Sequence, residues 1–208
     1  MKTKFLALAL AAPAIFVSCE NPADKTTDAK VSAAVDKSAT PAEPGTKYVF
    51  TPASQVNFIG SKVTGSHNGG FKSFTGYFTI KDGAPVGNDH KVVIDMKSTF
   101  VDNEKLQGHL KSPDFFDVEK FPQSTFDVTA FKKDSPTAYT VSGNFTLHGI
   151  TKNISFLATV SQTGDTVKID SKFDINRKDF GIVYPGKTDD LIRDEVVIEL
   201  KLEAKPEA

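Results

Sequence analysis

The sequence predicts an all-β protein, an extended antiparallel barrel of about eight strands with one short helix packed alongside, and three observations point there. From Tyr48 onward the dominant hydrophobic period is two rather than 3.6, with apolar positions alternating with Ser, Thr, Lys and Asp. Turn signals cut the chain at short intervals: Lys-Asp-Gly at 81–83, Gly-Asn-Asp at 87–89, Lys-Asp-Ser-Pro at 133–136 and Thr-Gly-Asp at 163–165. Short loops of this kind join antiparallel neighbours. Third, Gly65, Gly69, Gly70, Gly76 and Gly143 lie in or beside the strands, where glycine permits the bends that close a sheet on itself. A sandwich is the other economical arrangement for strands with one apolar face, and the period alone does not choose between them.

The first element precedes the fold. Two lysines within Met1–Lys4, an apolar run from Phe5 to Phe16 and small residues leading into Cys19 form the layout of a secretory signal over residues 1–18. The run is shorter than the roughly 20 residues that cross a bilayer, and no later segment approaches that length. Phe16-Val17-Ser18-Cys19 resembles a bacterial lipobox, with Phe where Leu is usual, and marks Cys19, the only cysteine, as the lipidation site. The chain is expected to be exported and membrane-anchored, facing the periplasm or the cell surface; a soluble periplasmic or secreted form is the alternative. Residues 19–46 have no aromatic side chain and are rich in Asp, Lys, Ala, Thr and Pro, so they are expected to form a disordered tether behind the acylated cysteine.

The folded domain is expected over 47–203, with a flexible C-terminus at 204–208. Its strand faces, in order, are Val56 and Phe58; Phe74, Phe78 and Ile80; Val92, Ile94 and Met96; and Phe126, Val128 and Ala130. Val141, Phe145 and Leu147 follow, then Ile154, Phe156, Ala158 and Val160, then Val167, Ile169 and Phe173, and finally Val196, Ile198, Leu200 and Leu202. Asn103–Lys111 breaks the pattern: Leu106 and Leu110 sit at helical spacing before Ser112-Pro113, which predicts a short helix. Asp114–Val118 reads as another turn or a loop that lays Phe115 and Phe116 on the sheet.

Composition narrows the function. Lys and Arg total 25 against 26 for Asp and Glu, without a basic cluster, so the footprint of a nucleic-acid binder is missing. Seventeen Phe with no Trp and four Tyr suit a dry interior, since phenylalanine brings apolar area without a polar handle. No Gly-x-Ser-x-Gly, dinucleotide fingerprint, phosphate loop or paired catalytic carboxylates occur in the chain, so an enzyme is not expected. His67, His90, His109 and His148 have no partner at metal-ligand spacing, and no metal is expected. His90 reads as turn surface, His109 as a favourable charge at a helix C-terminus, and His148 as turn architecture. His67, in a glycine-rich segment, and Arg177 are candidates for contact with a polar headgroup; an ion pair of Arg177 with Asp179 or Asp174 is the rival reading.

Four strings then stand together: His67-Asn68-Gly69-Gly70-Phe71; His109 to Pro122, reading HLKSPDFFDVEKFP; Leu147-His148-Gly149-Ile150-Thr151-Lys152; and Asn176-Arg177-Lys178-Asp179-Phe180-Gly181-Ile182. Together they resemble the YceI family over Tyr48 to about Leu202, with Tyr48 where such domains often carry Trp. The resemblance implies a lipocalin-like barrel, export, and binding of a polyisoprenoid, isoprenoid quinone, fatty-acid derivative or other long-chain amphiphile in the interior, as carrier, buffer or stress protein. The lining expected from the strand faces is Phe58, Phe74, Phe78, Ile94, Met96, Phe126, Phe145, Phe156, Phe173, Ile198 and Leu200. No cofactor is required beyond a bound lipid, and the membrane is expected as a partner through the acyl anchor alone. Dimerisation through an exposed edge or the helix face has no motif to specify it. On residues alone, a filled core serving as an adaptor for a protein partner is the competing reading.

Overall fold

The computed structural model describes residues 20–37, 44–87 and 90–208. The expected signal segment and Cys19 lie outside them. Eleven main strands run as β1 (Thr46–Phe50), β2 (Gln55–Lys62), β3 (Gly65–Phe71), β4 (Phe74–Lys81), β5 (Lys91–Asp95) and β6 (Thr99–Val101), then β7 (Gln123–Lys133), β8 (Ala138–Leu147), β9 (Ile150–Thr163), β10 (Thr166–Asn176) and β11 (Glu195–Pro206). The helix α1 spans Glu104–Lys111, with the Asn103 side chain accepting from the Leu106 N–H as its N-cap.

Eight strands close a ring in the order β11, β10, β9, β8, β7, β5, β4, β1 and back to β11. β11 carries the closure because it is long enough to pair with β10 along Val167–Asn176 and, on its other side, with β2 at Val197–Lys201 and β1 at Ala204–Pro206. Beyond the ring, β2, β3 and β6 extend the wall at one end, where α1 packs. That end is called the mouth below.

Alternation sets which side chains face inward, and one irregularity changes the count. β7 and β8 pair Val128 with Gly143 but Ala130 with Ser142, so the ladder slips by one residue at Thr129. Ala130, expected on the inner face, is exposed as a result, and Phe131 joins the core in its place. Met96 likewise lies past the end of β5 in a 3-10 turn, yet is 2 % exposed in the core.

The largest correction falls on residues 20–37 of the segment expected as a tether, of which Cys19 and residues 38–43 lie outside the described residues. β9 and β10 pair directly only from Thr159–Asp170 to Thr163–Thr166 and then part. Into the gap comes the N-terminal strap: Thr27–Asp28 runs parallel to Phe173–Asp174, and Lys30–Ala33 runs antiparallel to Lys152–Ser155. The Ala29 N–H donates to the Asp174 carbonyl at 2.9 Å. Its composition supplies little apolar area, but its backbone groups satisfy two strand edges that would otherwise be unpaired. The C-terminus is corrected too: β11 continues to Pro206, and the Glu207 N–H donates to the Lys47 carbonyl at 2.8 Å.

His90 is no surface turn residue. It is 1 % exposed, with Nδ1 accepting from the Thr79 N–H at 3.0 Å and Nε2 3.2 Å from the Gly87 carbonyl, which assigns the neutral Nε2–H form. His148 does shape a turn: with φ of 51° beside Gly149 at 75°, it forms the tight link between β8 and β9.

Candidate functional site

The barrel interior is open. A mouth chamber of about 540 Å³ lies between α1 and the upper wall. A far chamber of about 380 Å³ lies toward the opposite turns. Both volumes fall in the range of small-molecule sites. The two share no lining residue. Phe126 and Phe156 line the far chamber, while Phe145 and Ile198, the cross-strand partners of Phe126 and Phe173, line the mouth chamber, which puts the cluster of these rings at the boundary: Phe156 stacks on Phe173 at 4.2 Å between centroids, and Phe126 tilts against Phe156 at 5.6 Å.

Glycine seats these rings. A Cβ at Gly143 would collide with the Phe126 ring, and a Cβ at Gly69 with the Phe58 ring, so each phenylalanine lies flat over a neighbouring strand instead of projecting across the lumen. Large residues placed against glycine thus leave space rather than fill it.

The sequence-predicted lining divides between the chambers. Phe58, Ile94, Met96, Phe145 and Ile198 border the mouth chamber; Phe78, Phe126, Phe156 and Leu200 border the far one. Two expectations are corrected. Phe173 borders neither, because its ring face is covered by Phe156, and Phe74 borders neither, because it packs edge-on against Phe50 at 6.4 Å. Sequence reasoning missed Leu106, Leu110, Phe115 and Phe116 as mouth lining, although the helical spacing of the two leucines was the available signal.

The chargeable groups that line the mouth chamber are Lys62, His67, Lys105, His109, Arg177, Lys187 and Arg193, with no carboxylate among them. The acids stand behind. Lys62 pairs with Asp190, His67 Nδ1 lies 2.7 Å from Asp102, and His109 Nε2 lies 2.8 Å from Asp114. The Asn68 N–H, donating to Asp102, and then the His67 ring hold that carboxyl below its usual range. The hydrogen bonds from Lys62 and then Thr64 do the same for Asp190.

Arg177 lines the mouth chamber and is engaged there as an internal clamp. It is 4 % exposed, and its guanidinium donates to the Ile182 carbonyl at 2.7 Å, the Arg193 carbonyl at 3.1 Å and Asp194 at 3.2 Å, neither Asp174 nor Asp179 being its partner. Burial lowers its pKa from the ordinary value while Asp194 opposes the shift. These bonds tie the loop 181–194 across the mouth. His67 does face the chamber, half-buried and oriented by Asp102.

Among the described residues no group of His, Cys, Asp or Glu could hold a metal ion, and no helix is long and apolar enough to cross a membrane. A closed antiparallel barrel with an apolar, basic-rimmed interior and a flanking helix defines a lipocalin-like fold. The YceI-like domain profile matches residues 48–204, and the chain belongs to that family. A UPF0312 protein of Pseudomonas syringae pv. tomato is 30% identical over 164 residues, covering 73% of this chain and 84% of that protein. One from Pseudomonas putida (strain W619) is 32% identical over 140 residues, covering 64% and 72%.

Among solved structures, Burkholderia cenocepacia BcnA superposes with a TM-score of 0.67 at 24% identity, covering 73% of this chain and 96% of that one. A polyisoprenoid binding domain from Saccharophagus degradans, implicated in plant cell wall breakdown, gives 0.64 at 18%, covering 77% and 98%. Both likenesses bear on the fold.

Proposed function

We propose that the protein binds one long-chain amphiphile, of the polyisoprenoid, isoprenoid quinone or fatty-acyl class, inside the barrel and catalyses nothing. The observation that carries this reading is the mouth chamber itself, an apolar space of about 540 Å³ whose only chargeable lining groups are lysine, arginine and histidine. The polar head rests near Lys105, Lys187 and His67, and the chain runs inward toward the aromatic rings. Burying each methylene is worth about 0.8 kcal/mol, so affinity follows chain length more than head chemistry.

The polyisoprenoid binding of the Saccharophagus degradans domain, which shares the fold, supports the ligand class. The open interior speaks against the filled-core adaptor. No cofactor is needed for holding a chain. The lipobox-like segment supports an exported lipoprotein anchored through Cys19, acting as carrier or buffer in the cell envelope.

Native mass spectrometry of the protein purified without detergent, followed by denaturation and organic extraction, tests the reading. A stoichiometric lipid mass released on unfolding is the expected result. A protein that carries no such mass and takes up neither an isoprenoid quinone nor a fatty acid overturns it.

A further inference from the structure

Six large apolar side chains are exposed among the described residues, and four of them, Val63, Ile150, Val183 and Leu191, gather at the mouth end. They come from three separate segments. Val63 tips the β2–β3 turn, and its N–H donates to the Leu191 carbonyl at 3.2 Å. Val183 follows Ile182, which lines the mouth chamber, while Ile150 begins β9 and lies against Gly181 of the same loop. The apolar lining of the chamber therefore continues over the rim and outward.

Long cationic side chains stand among these tips. Lys105 and Lys187 border the chamber, and such side chains lay their stems on apolar surface while the ammonium reaches polar headgroups. Asp190, on the same loop, is engaged by Lys62 and by the Thr64 hydroxyl at 2.8 Å. Asp189 is exposed beside it and opposes binding to an anionic surface, so apolar insertion has to supply the main attraction.

The course of the strap gives an independent reason to look here. Glu20 is the first described residue, and the adjoining Asn21 accepts from the hydroxyl of Ser61, at the mouth end of β2, at 3.5 Å. The strap then crosses β11 before entering the β9–β10 gap. The described part of the strap thus starts at the rim.

We propose that the mouth rim is itself a membrane-docking surface whose occupant is a phospholipid bilayer, with Val63, Leu191 and Val183 inserted, so that the chamber opens directly into lipid. This goes beyond anchoring through an acyl chain alone. It gives an apolar ligand a route between bilayer and barrel that never crosses water. Scattered loop-tip side chains interleaved with lysine suit a fluid lipid surface, whereas a protein partner is served by one contiguous patch.

The test uses the full chain reconstituted in vesicles of phosphatidylethanolamine and phosphatidylglycerol, with an environment-sensitive fluorophore at Val63→Cys, at Leu191→Cys or, as the reference, at Leu157→Cys. Leu157 is 58% exposed on the outer wall of β9, away from the rim. A sample without an introduced cysteine is subtracted to remove any dye on Cys19. Labels at 63 and 191 should shift to the blue and be quenched by nitroxide phospholipid, while the label at 157 does neither. Rim labels that behave like the one at 157 overturn the proposal, whether or not the chain stays with the vesicles. Lipid found by native mass spectrometry alongside such labels would leave the binding function intact and reject only the docking.

Discussion

The two chambers occupy one barrel but are built by different means. The far chamber sits inside the closed ring, with Val167 at 1 % exposure and Ala158 at 3 % in its wall, so its shape follows from strand alternation. The mouth chamber depends on parts outside the ring: α1, the Phe115–Phe116 turn and the loop 181–194 held by Arg177. Regular pairing makes the rigid part of the cavity. The helix and the loops add Lys105, His109, Lys187 and Arg193 to the mouth chamber.

That contrast is broken most severely at the aromatic rings. Phe156→Ala removes a ring that stacks on Phe173 and tilts against Phe126 and should cost about 3–5 kcal/mol, read as a fall in denaturation midpoint at unchanged m-value. Where the variant still folds, the chambers should merge and admit longer chains in a binding series of prenols.

Arg177→Ala should come next, costing about 1.5–3 kcal/mol through its lost charge-assisted hydrogen bonds. Hydrogen exchange should then rise at Ile182 and Ile192 in the mouth loop and remain unchanged at Val167. A variant that lost ligand with full stability and unaltered exchange would restore Arg177 to the role of headgroup contact.

Ile198→Ala should cost only about 1 kcal/mol, because this half-buried side chain already borders empty space and leaves no new sealed void. Ligand affinity should nonetheless fall, and titration of one prenol into both proteins checks this.

The smallest effect concerns the strap. Burial pushes the Asp174 carboxyl above its ordinary range, with further contributions from Asp28 on the strap and Glu195 on β11, while the Thr26 hydroxyl at 2.6 Å opposes them. A carboxyl whose folded pKa is raised favours docking when protonated. Strap stability from this group is complete below the ordinary carboxylate range and declines as pH rises through the raised value. The protection factor of the Ala29 amide should fall accordingly, and Asp174→Asn should flatten the dependence.

Much of the ring was legible because alternation is local: Val141, Gly143 and Phe145 face inward as their spacing requires. Leu106 and Leu110 announced α1 in the same way. The slip at Thr129 was not, since a bulge is visible only once the partner strand is known. The strap escaped for a related reason, as its docking rests on backbone pairing with residues more than a hundred positions away. Arg177 could not be told from a headgroup contact because the identity of its partners depends on how the loop 181–194 returns.

Methyl NMR of the protein with and without a long-chain prenol tests the central claim most directly, using Ile94 and Val101 as reporters of the mouth chamber and Val167 and Leu202 of the far one. Shifts in the mouth set, reaching the far set only in Phe156→Ala, are the predicted result. Shifts confined to outer-face methyls such as Leu157, with both interior sets unmoved at saturation, would contradict it.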